Sequence, residues 1–254
     1  WLCIFVAISC IIVMFGVKKG IERTSKIFLP ILIVLNIAIA IYVMTLPGAL
    51  DGVLYYITLD FSKLSFGTII AALGQLFYSM SLAMGIMFTY GSYLNKKENL
   101  EASVRHIELF DTGIAFLSGL MILPAVFVFS GGDANVLNSG SSLLFITMPQ
   151  VFMSMPFGQA VGAIFFILVF FAALTSAISF VETIVSVFQD QFGWKRIPIC
   201  IGTCFGAIVI GLAAAWGFGW WSGFTIFGMN ISDFLDFFTN SILMPISALF
   251  TCIL

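Results

Sequence analysis

The sequence predicts an all-α, polytopic membrane protein, and three observations predict it. Of 254 residues, 61% are hydrophobic and 9% charged, with 29 Phe, whereas soluble domains carry roughly 25% charged residues. Apolar runs long enough to cross a bilayer as helices recur along the whole chain. The alternating ten-residue segments of a membrane β-barrel do not occur. No basic patch is large enough for nucleic acid, and a net charge of −2 points to no particular partner beyond the lipid bilayer.

Seven spans are predicted within a single transmembrane domain, 1–254. The first, 1–17, ends at Lys18-Lys19-Gly20, and the second, 27–46, is closed by Pro47-Gly48. A polar loop with Asp51, Asp60 and Lys63 leads to the third, 67–93, which stops at Asn95-Lys96-Lys97-Glu98-Asn99. The fourth, 102–129, carries Glu108 and Asp111 in its first half. Residues 130–157 form a long connection without Lys or Arg. Its apolar piece, 143–152, is too short to span and is expected as a re-entrant or packed loop segment. The fifth span covers 158–188 and the sixth 197–216; a Gly/Trp-rich turn precedes the seventh, 233–254. Trp1 opens inside one apolar run and Leu254 closes inside another, so an internal portion of a longer membrane protein, incomplete at both ends, is expected.

Basic residues set the orientation. Lys18, Lys19, Arg23, Lys26, Lys96, Lys97, Arg105, Lys195 and Arg196 fall in alternate loops on one side, and only Lys63 lies on the other. The positive-inside rule makes the loops near 18–26, 94–106 and 189–196 cytoplasmic. The 47–66, 130–157 and 217–232 connections are then external.

The third span is wrong for an uninterrupted helix in lipid. Gln75, Ser79 and Ser81 place polar groups at mid-span, and Gly74, Gly85 and Gly91 weaken the helix around them. Backbone leaves a helix at membrane depth only where protein or a wet cavity satisfies it, so a Gly-interrupted segment with hydroxyls points to a substrate and ion site. The alternative is an ordinary span whose serines bond the preceding turn. In the fifth span, Ala172, Ala173, Thr175, Ser176, Ala177 and Ser179 make a small, hydroxyl-bearing face. It suits close helix packing, or it offers oxygen ligands to a hard cation. Asp111, Glu182 and Asp236 are the ionisable candidates, because charges inside spans are expensive and usually functional. Asp111 can also be an interfacial carboxylate, Glu182 a bond between neighbouring helices, and Asp236 a solvated helix end.

The remaining chemistry is sparse. Cys3, Cys10, Cys200, Cys204 and Cys252 sit in apolar runs without C-x-x-C spacing and read as small buried hydrophobes. His106 is alone and cannot build a metal site. The Gly158–Gly162 and Gly202–Gly206 spacings read as packing. No hydrolase, protease or phosphate-loop constellation appears, so the chain is not expected to be an enzyme or to need a cofactor.

The run G-Q-L-F-Y-S-M-S-L-A-M-G-I-M-F-T-Y-G-S-Y-L (74–94), with A-A-L-T-S (172–176) and K-G-I-E-R (19–23), closely resembles the neurotransmitter:sodium symporter family, nearest its prokaryotic amino-acid transporters. The resemblance covers essentially the whole chain, as the fourth to tenth of the family's twelve helices. It implies an inverted-repeat transporter fold with a discontinuous helix, an architecture for which a bacterial member of this family is itself a standard example. The interrupted span then resembles the unwound sixth helix, with Tyr78, Ser79, Ser81 and Met84 matching substrate-pocket positions. Ser79 and Asp111 match ligands of a first sodium site. Ala172, Thr175 and Ser176 match a second, through one carbonyl and two hydroxyls, and Ser176 and Phe180 border the pocket. Asp236 matches the acidic half of the external gate, and Tyr93 and Asp190 the cytoplasmic gate. Phe77 and Tyr78 are adjacent candidates for an aromatic lid, Tyr78 being favoured by the alignment to Gln75. The 143–152 segment resembles the loop that caps the vestibule.

The resemblance implies sodium-coupled symport of a small, hydrophobic amino acid by alternating access. Asp111 would supply the negative charge that many animal members take from chloride, so chloride-independent transport is expected. Ala83 stands where the family commonly has Gly, which stiffens the unwound region or narrows the pocket. The first and third helices of the family have no counterpart in this chain, which therefore holds roughly half a site; the missing helices of the same parent chain are needed to complete it. Two other functions compete: a proton-coupled amino-acid transporter of the same architecture, using Asp111 or Glu182, and a non-transporting amino-acid sensor. An intramembrane enzyme lacks its constellation.

Overall fold

The structure is a computed structural model and describes residues 1–16, 20–94, 98–131, 142–221 and 223–253. Lys18, Lys19, Lys96 and Lys97, four of the residues behind the predicted orientation, lie outside the described residues. So do the 132–141 part of the external connection and Leu254.

Described residues are almost wholly helical: α1 (Leu2–Phe15), α2 (Gly20–Met44), α3 (Ala49–Ile57), α4 (Phe66–Ser79), α5 (Ile86–Tyr93), α6 (Leu100–Ser130), α7 (Ser142–Ser154), α8 (Gly158–Phe192), α9 (Arg196–Gly217), α10 (Ile231–Asp236) and α11 (Met244–Ile253). A π-helical stretch, Phe237–Leu243, joins the last two. Five helical stretches are long and apolar enough to cross a membrane: Lys26–Met44, Leu100–Ser130, Gly158–Phe192, Arg196–Gly217 and Ile231–Ile253. The first predicted span is a shorter helix of 14 residues, and the third is the pair α4 and α5.

Helix ends follow local chemistry. Ser65 caps α4 by accepting from the Thr68 amide at 3.1 Å, and Asn230 caps α10 by accepting from the Asp233 amide at 2.8 Å while donating to its carboxylate at 2.7 Å. Helix α8 ends where Gly193 turns left-handed, at φ +66°. One helix was hidden in the sequence: α3 occupies part of the predicted polar loop 47–66. Gly48 at φ +87° starts it, Asp51 complements its N-terminal dipole, and its apolar Val53, Leu54 and Tyr55 continue it.

The described residues divide into two compact units. One comprises Glu22–Ser62 and Glu101–Ala173. Its core gathers Ile39, Ala40 and Val43 from α2, Met121 and Ala125 from α6, Met148, Val151 and Phe152 from α7, and Phe165 from α8. Helix α7 contains the short apolar piece and is held there by Tyr42, whose hydroxyl donates to the Ser154 carbonyl at 2.6 Å. The α3–α6 contact in this unit is close because Gly52 has no side chain: a Cβ would sit 2.5 Å from the Pro124 Cα.

The other unit comprises Trp1–Ile21, Lys63–Leu100 and Leu174–Leu254. Here α1 packs along α9, burying Cys10, Val13, Ile199 and Cys200. Cys204 is half-buried, and all five cysteines are free thiols. Cys3 and Cys252 correct the expectation of burial, since both are exposed on their helices. Helix α4 packs against the π-helical stretch and α11.

Candidate functional site

The helix in the third span stops after Ser79 and restarts at Ile86. Neither Gly74 nor Gly91 makes the break; both lie inside helices. The break falls at 80–85, where Ser81 (φ +55°), Ala83 (φ +61°) and Gly85 (φ +77°) alternate in left-handed backbone. For a non-glycine residue that conformation costs about 1–2 kcal/mol and persists where surrounding structure imposes it. Ala83, where the resemblance leads one to expect Gly, is therefore in the conformation a glycine would adopt without cost.

The consequence is a set of half-buried backbone acceptors without backbone donors. Helix α4 closes with Met80, Ser81 and Leu82 amides donating to the Leu76, Tyr78 and Phe77 carbonyls at 3.0, 3.1 and 2.8 Å. Among the described residues, no backbone amide donates to the carbonyls of Met80, Ser81, Leu82 or Met84. Such oxygens suit a sodium ion or a substrate ammonium, both of which require oxygen partners.

Each half of the broken helix is fastened differently. Helix α5 is bound to α8: Tyr90 and Ser179 hydroxyls lie 2.8 Å apart, and Tyr93 donates to Glu182 Oε1 at 3.1 Å. These pairs repeat at i, i+3 on both helices, so they share facing surfaces. Gly85 sits against Thr183, whose Cγ2 would be 3.1 Å from an added Cβ. Helix α4 is fastened to the π-helical stretch through Gly74, where a Cβ would meet the Asn240 carbonyl oxygen at 2.8 Å. Only glycine allows backbones this close.

At the predicted cytoplasmic end of this unit the structure builds an ionic cluster. Glu182 is 5% exposed, a position in which a carboxylate must be paired. Arg196, the first residue of α9, grips it with both terminal nitrogens: Nη2 bonds Oε2, and Nη1 lies 3.3 Å from Oε1. Its Nε donates to the Val13 carbonyl at 2.8 Å, placing positive charge at the C-terminus of α1, where the helix dipole favours it. Gln189 accepts from Nη1 at 3.5 Å. One guanidinium thus ties α1, α8 and α9, and Tyr93 adds α5.

The other sequence candidates are placed as follows. Tyr78 and Ser79 form the exposed end of α4, with Ser81 and Met84 half-buried in the break. Thr175 and Ser176 lie on one turn of α8, with Ala172 the preceding turn's neighbour on that face and Phe180 one turn on. The Thr175 carbonyl already accepts from the Ser179 hydroxyl at 3.0 Å. Asp111 is half-buried in α6, within the other unit. Asp236 is exposed at the end of α10 and accepts from Asn240 Nδ2 at 2.7 Å. Tyr93 meets Glu182 rather than Asp190, which is exposed near the end of α8. Arg196 is the residue that sequence reasoning missed, having served there only as a marker of the cytoplasmic side. A basic residue opening a helix fourteen residues after an intramembrane Glu was the available signal.

The chain is similar to known proteins. The model of the sodium:neurotransmitter symporter family matches residues 1–254. An uncharacterized sodium-dependent transporter of Haemophilus influenzae is 37% identical over 247 residues, covering 97% of this chain and 53% of that protein. The uncharacterized sodium-dependent transporter YhdH of Bacillus subtilis is 37% identical over 246 residues, covering 97% of this chain and 54% of its own. The crystal structure of MhsT in complex with L-phenylalanine superposes with a TM-score of 0.90 at 38% identity, over 96% of this chain and 55% of that one. The chain spans about half the length of the curated relatives it matches.

Proposed function

We propose, because the chain belongs to the sodium:neurotransmitter symporter family, that its protein drives uptake of a small, hydrophobic amino acid with sodium entry, by alternating access and without chloride. The family consists of transporters rather than enzymes, and the protein is an integral, multi-pass membrane protein. We place it in a plasma membrane, a bacterial inner membrane in keeping with its bacterial relatives, with the basic segments near 18–26, 94–106 and 189–196 on the cytoplasmic side.

The observation that carries this reading is the break at 80–85 in an apolar segment, where, among the described residues, backbone carbonyls are left without amide donors. Tyr78, Ser79, Ser81 and Met84 would meet the substrate there, with Ser176 and Phe180 from α8. Ser79 and Asp111 would hold a first sodium ion, and the Ala172 carbonyl with the Thr175 and Ser176 hydroxyls a second. Hydroxyl and carbonyl oxygens fit a hard monovalent cation, and nothing in this set is a soft ligand. Asp236 would close the external side, and Tyr93 with Asp190 the cytoplasmic side. That MhsT was crystallised with L-phenylalanine supports an amino acid as substrate, and the apolar Met84 and Phe180 favour an uncharged side chain.

The test is amino-acid uptake by the intact parent protein in proteoliposomes, under an inward sodium gradient and with potassium in its place. Accumulation with sodium alone is expected. Equal uptake under both would transfer the coupling to protons, and binding without uptake would make the protein a sensor.

Chloride independence has its own test in Asp111. A fixed carboxylate beside a sodium ion does the work of a bound anion, so the parent is expected to accumulate substrate equally in chloride and in gluconate. Asp111→Asn is expected to lose most uptake in gluconate and recover it in chloride. A parent that needs chloride, or a variant indifferent to it, would remove Asp111 from this role.

A further inference from the structure

We propose that Ser247, on α11, is a positioning residue that holds the break in its left-handed form and so keeps its carbonyls free for ligands. The proposal deepens the reading of residues 80–84 as ligand-bearing and rests on it for its transport consequence.

Hydroxyls in membrane helices ordinarily satisfy themselves on their own helix. Ser9 donates to the Phe5 carbonyl, Thr89 to Gly85, Ser179 to Thr175, Thr183 to Ser179 and Thr251 to Ser247, each four residues back. Ser247 does otherwise. Its Oγ donates at 3.1 Å to the Ala83 carbonyl, 164 residues away in sequence. The acceptor belongs to a residue at φ +61°, flanked at alternate positions by Ser81 at φ +55° and Gly85 at φ +77°. Two of these three are not glycine, so the conformation needs an external hold. Ser247 supplies a hydrogen bond at the middle one.

The same helical stretch holds a second point. Seven residues before Ser247, the Asn240 carbonyl abuts Gly74, nine residues before Ala83. The C-terminal stretch therefore touches α4 at one end and the break at the other, a two-point clamp. With the Ala83 carbonyl turned onto Ser247, the neighbouring carbonyls of Met80, Ser81, Leu82 and Met84 keep their present directions. Without it, the break is expected to sample helical backbone, in which those oxygens point along the helix axis at amides rather than at a ligand.

Ser247→Ala, Ser247→Thr and the parent would be compared as intact proteins in lipid. Hydrogen exchange reads the clamp without reference to transport. Ser247→Ala is expected to speed exchange about fivefold at the Met80, Ser81 and Leu82 amides, the loss of one hydrogen bond, while α8 and α9 stay unchanged and Ser247→Thr matches the parent. In sodium-driven uptake, Ser247→Ala is expected to raise half-saturating sodium and the substrate KM about fivefold with kcat little changed, and Thr again to restore both. Unchanged exchange in Ser247→Ala would overturn the proposal, as would altered exchange throughout the protein or an unaltered sodium requirement in a sodium-driven parent. A parent without sodium-dependent uptake would sink the functional reading alone, the exchange result still deciding whether Ser247 holds the break.

Discussion

Arg196→Met, made in the intact parent protein, is expected to cost about 3–5 kcal/mol of stability, the usual effect of leaving a buried charge without its partner. The substitution keeps most of the side chain's volume and removes the guanidinium. Glu182, 5% exposed, then retains, among the described residues, the Tyr93 hydroxyl, and the Val13 carbonyl loses its side-chain donor at the end of α1. Arg196→Lys is expected to fall between the two, because an ammonium cannot bond both carboxylate oxygens and a carbonyl in one fork geometry. Pairing Arg196→Met with Glu182→Gln tests the source of the loss. If the orphaned carboxylate is responsible, the double variant recovers much of the stability, since the coupling between contacting residues is not additive. Thermal unfolding in detergent provides the measurement. A single variant as stable as the parent, or a double variant no better than the single, would show that the pair is not a structural tie.

The other large effect is expected at Thr175 and Ser176. Replacing Thr175 by Val keeps the branched shape that packs within α8 and removes one oxygen; Ser176→Ala removes the other. A hydrogen-bonding oxygen facing a full charge contributes about 1.5–3 kcal/mol, so each variant should raise half-saturating sodium roughly tenfold or more. The two together should abolish accumulation at ordinary sodium concentrations while the protein remains folded. Thr175→Ser, which retains the hydroxyl, should stay close to the parent. Sodium titration of substrate binding separates ion affinity from turnover. Sodium affinity unchanged in the double variant would return this face to helix packing, the other use of small residues in membrane helices.

Much of the fold was legible because membrane helices advertise themselves by length and polarity. The breaks in apolar runs located α2, α6, α8 and α9 closely, and the polar, glycine-bearing middle of 67–93 announced a discontinuous helix. The superposition on MhsT agrees with that inverted-repeat architecture. Three things were not legible. Helix α3 has nine residues in a segment whose Asp51, Asp60 and Lys63 read as a polar loop; it packs through Gly52 against Pro124, seventy-two residues away. The π-helical stretch 237–243 has no local signature, and what accompanies it is the approach of Asn240 to Gly74. Ser247, the partner of Ala83, and Tyr93, one partner of Glu182, also come from distant sequence, where no periodicity connects them. Local pattern placed the polar groups along each helix; the pairing of one helix with another required coordinates.

The grip of Arg196 on Val13 also bears on biogenesis. The two residues are 183 positions apart, and the unit they close is assembled from three separate stretches of chain. A ribosome adding about 5–20 residues per second needs roughly ten to forty seconds to make the interval. During that time α1 has left the ribosome, but neither its counter-helix α9 nor the cation for its last turn yet exists. Its exposed Cys10–Val13 face is thus open to membrane chaperones or to a quality-control protease until α9 arrives. Variants at Arg196 should consequently lower the amount of protein reaching the membrane more steeply than equilibrium stability alone would require.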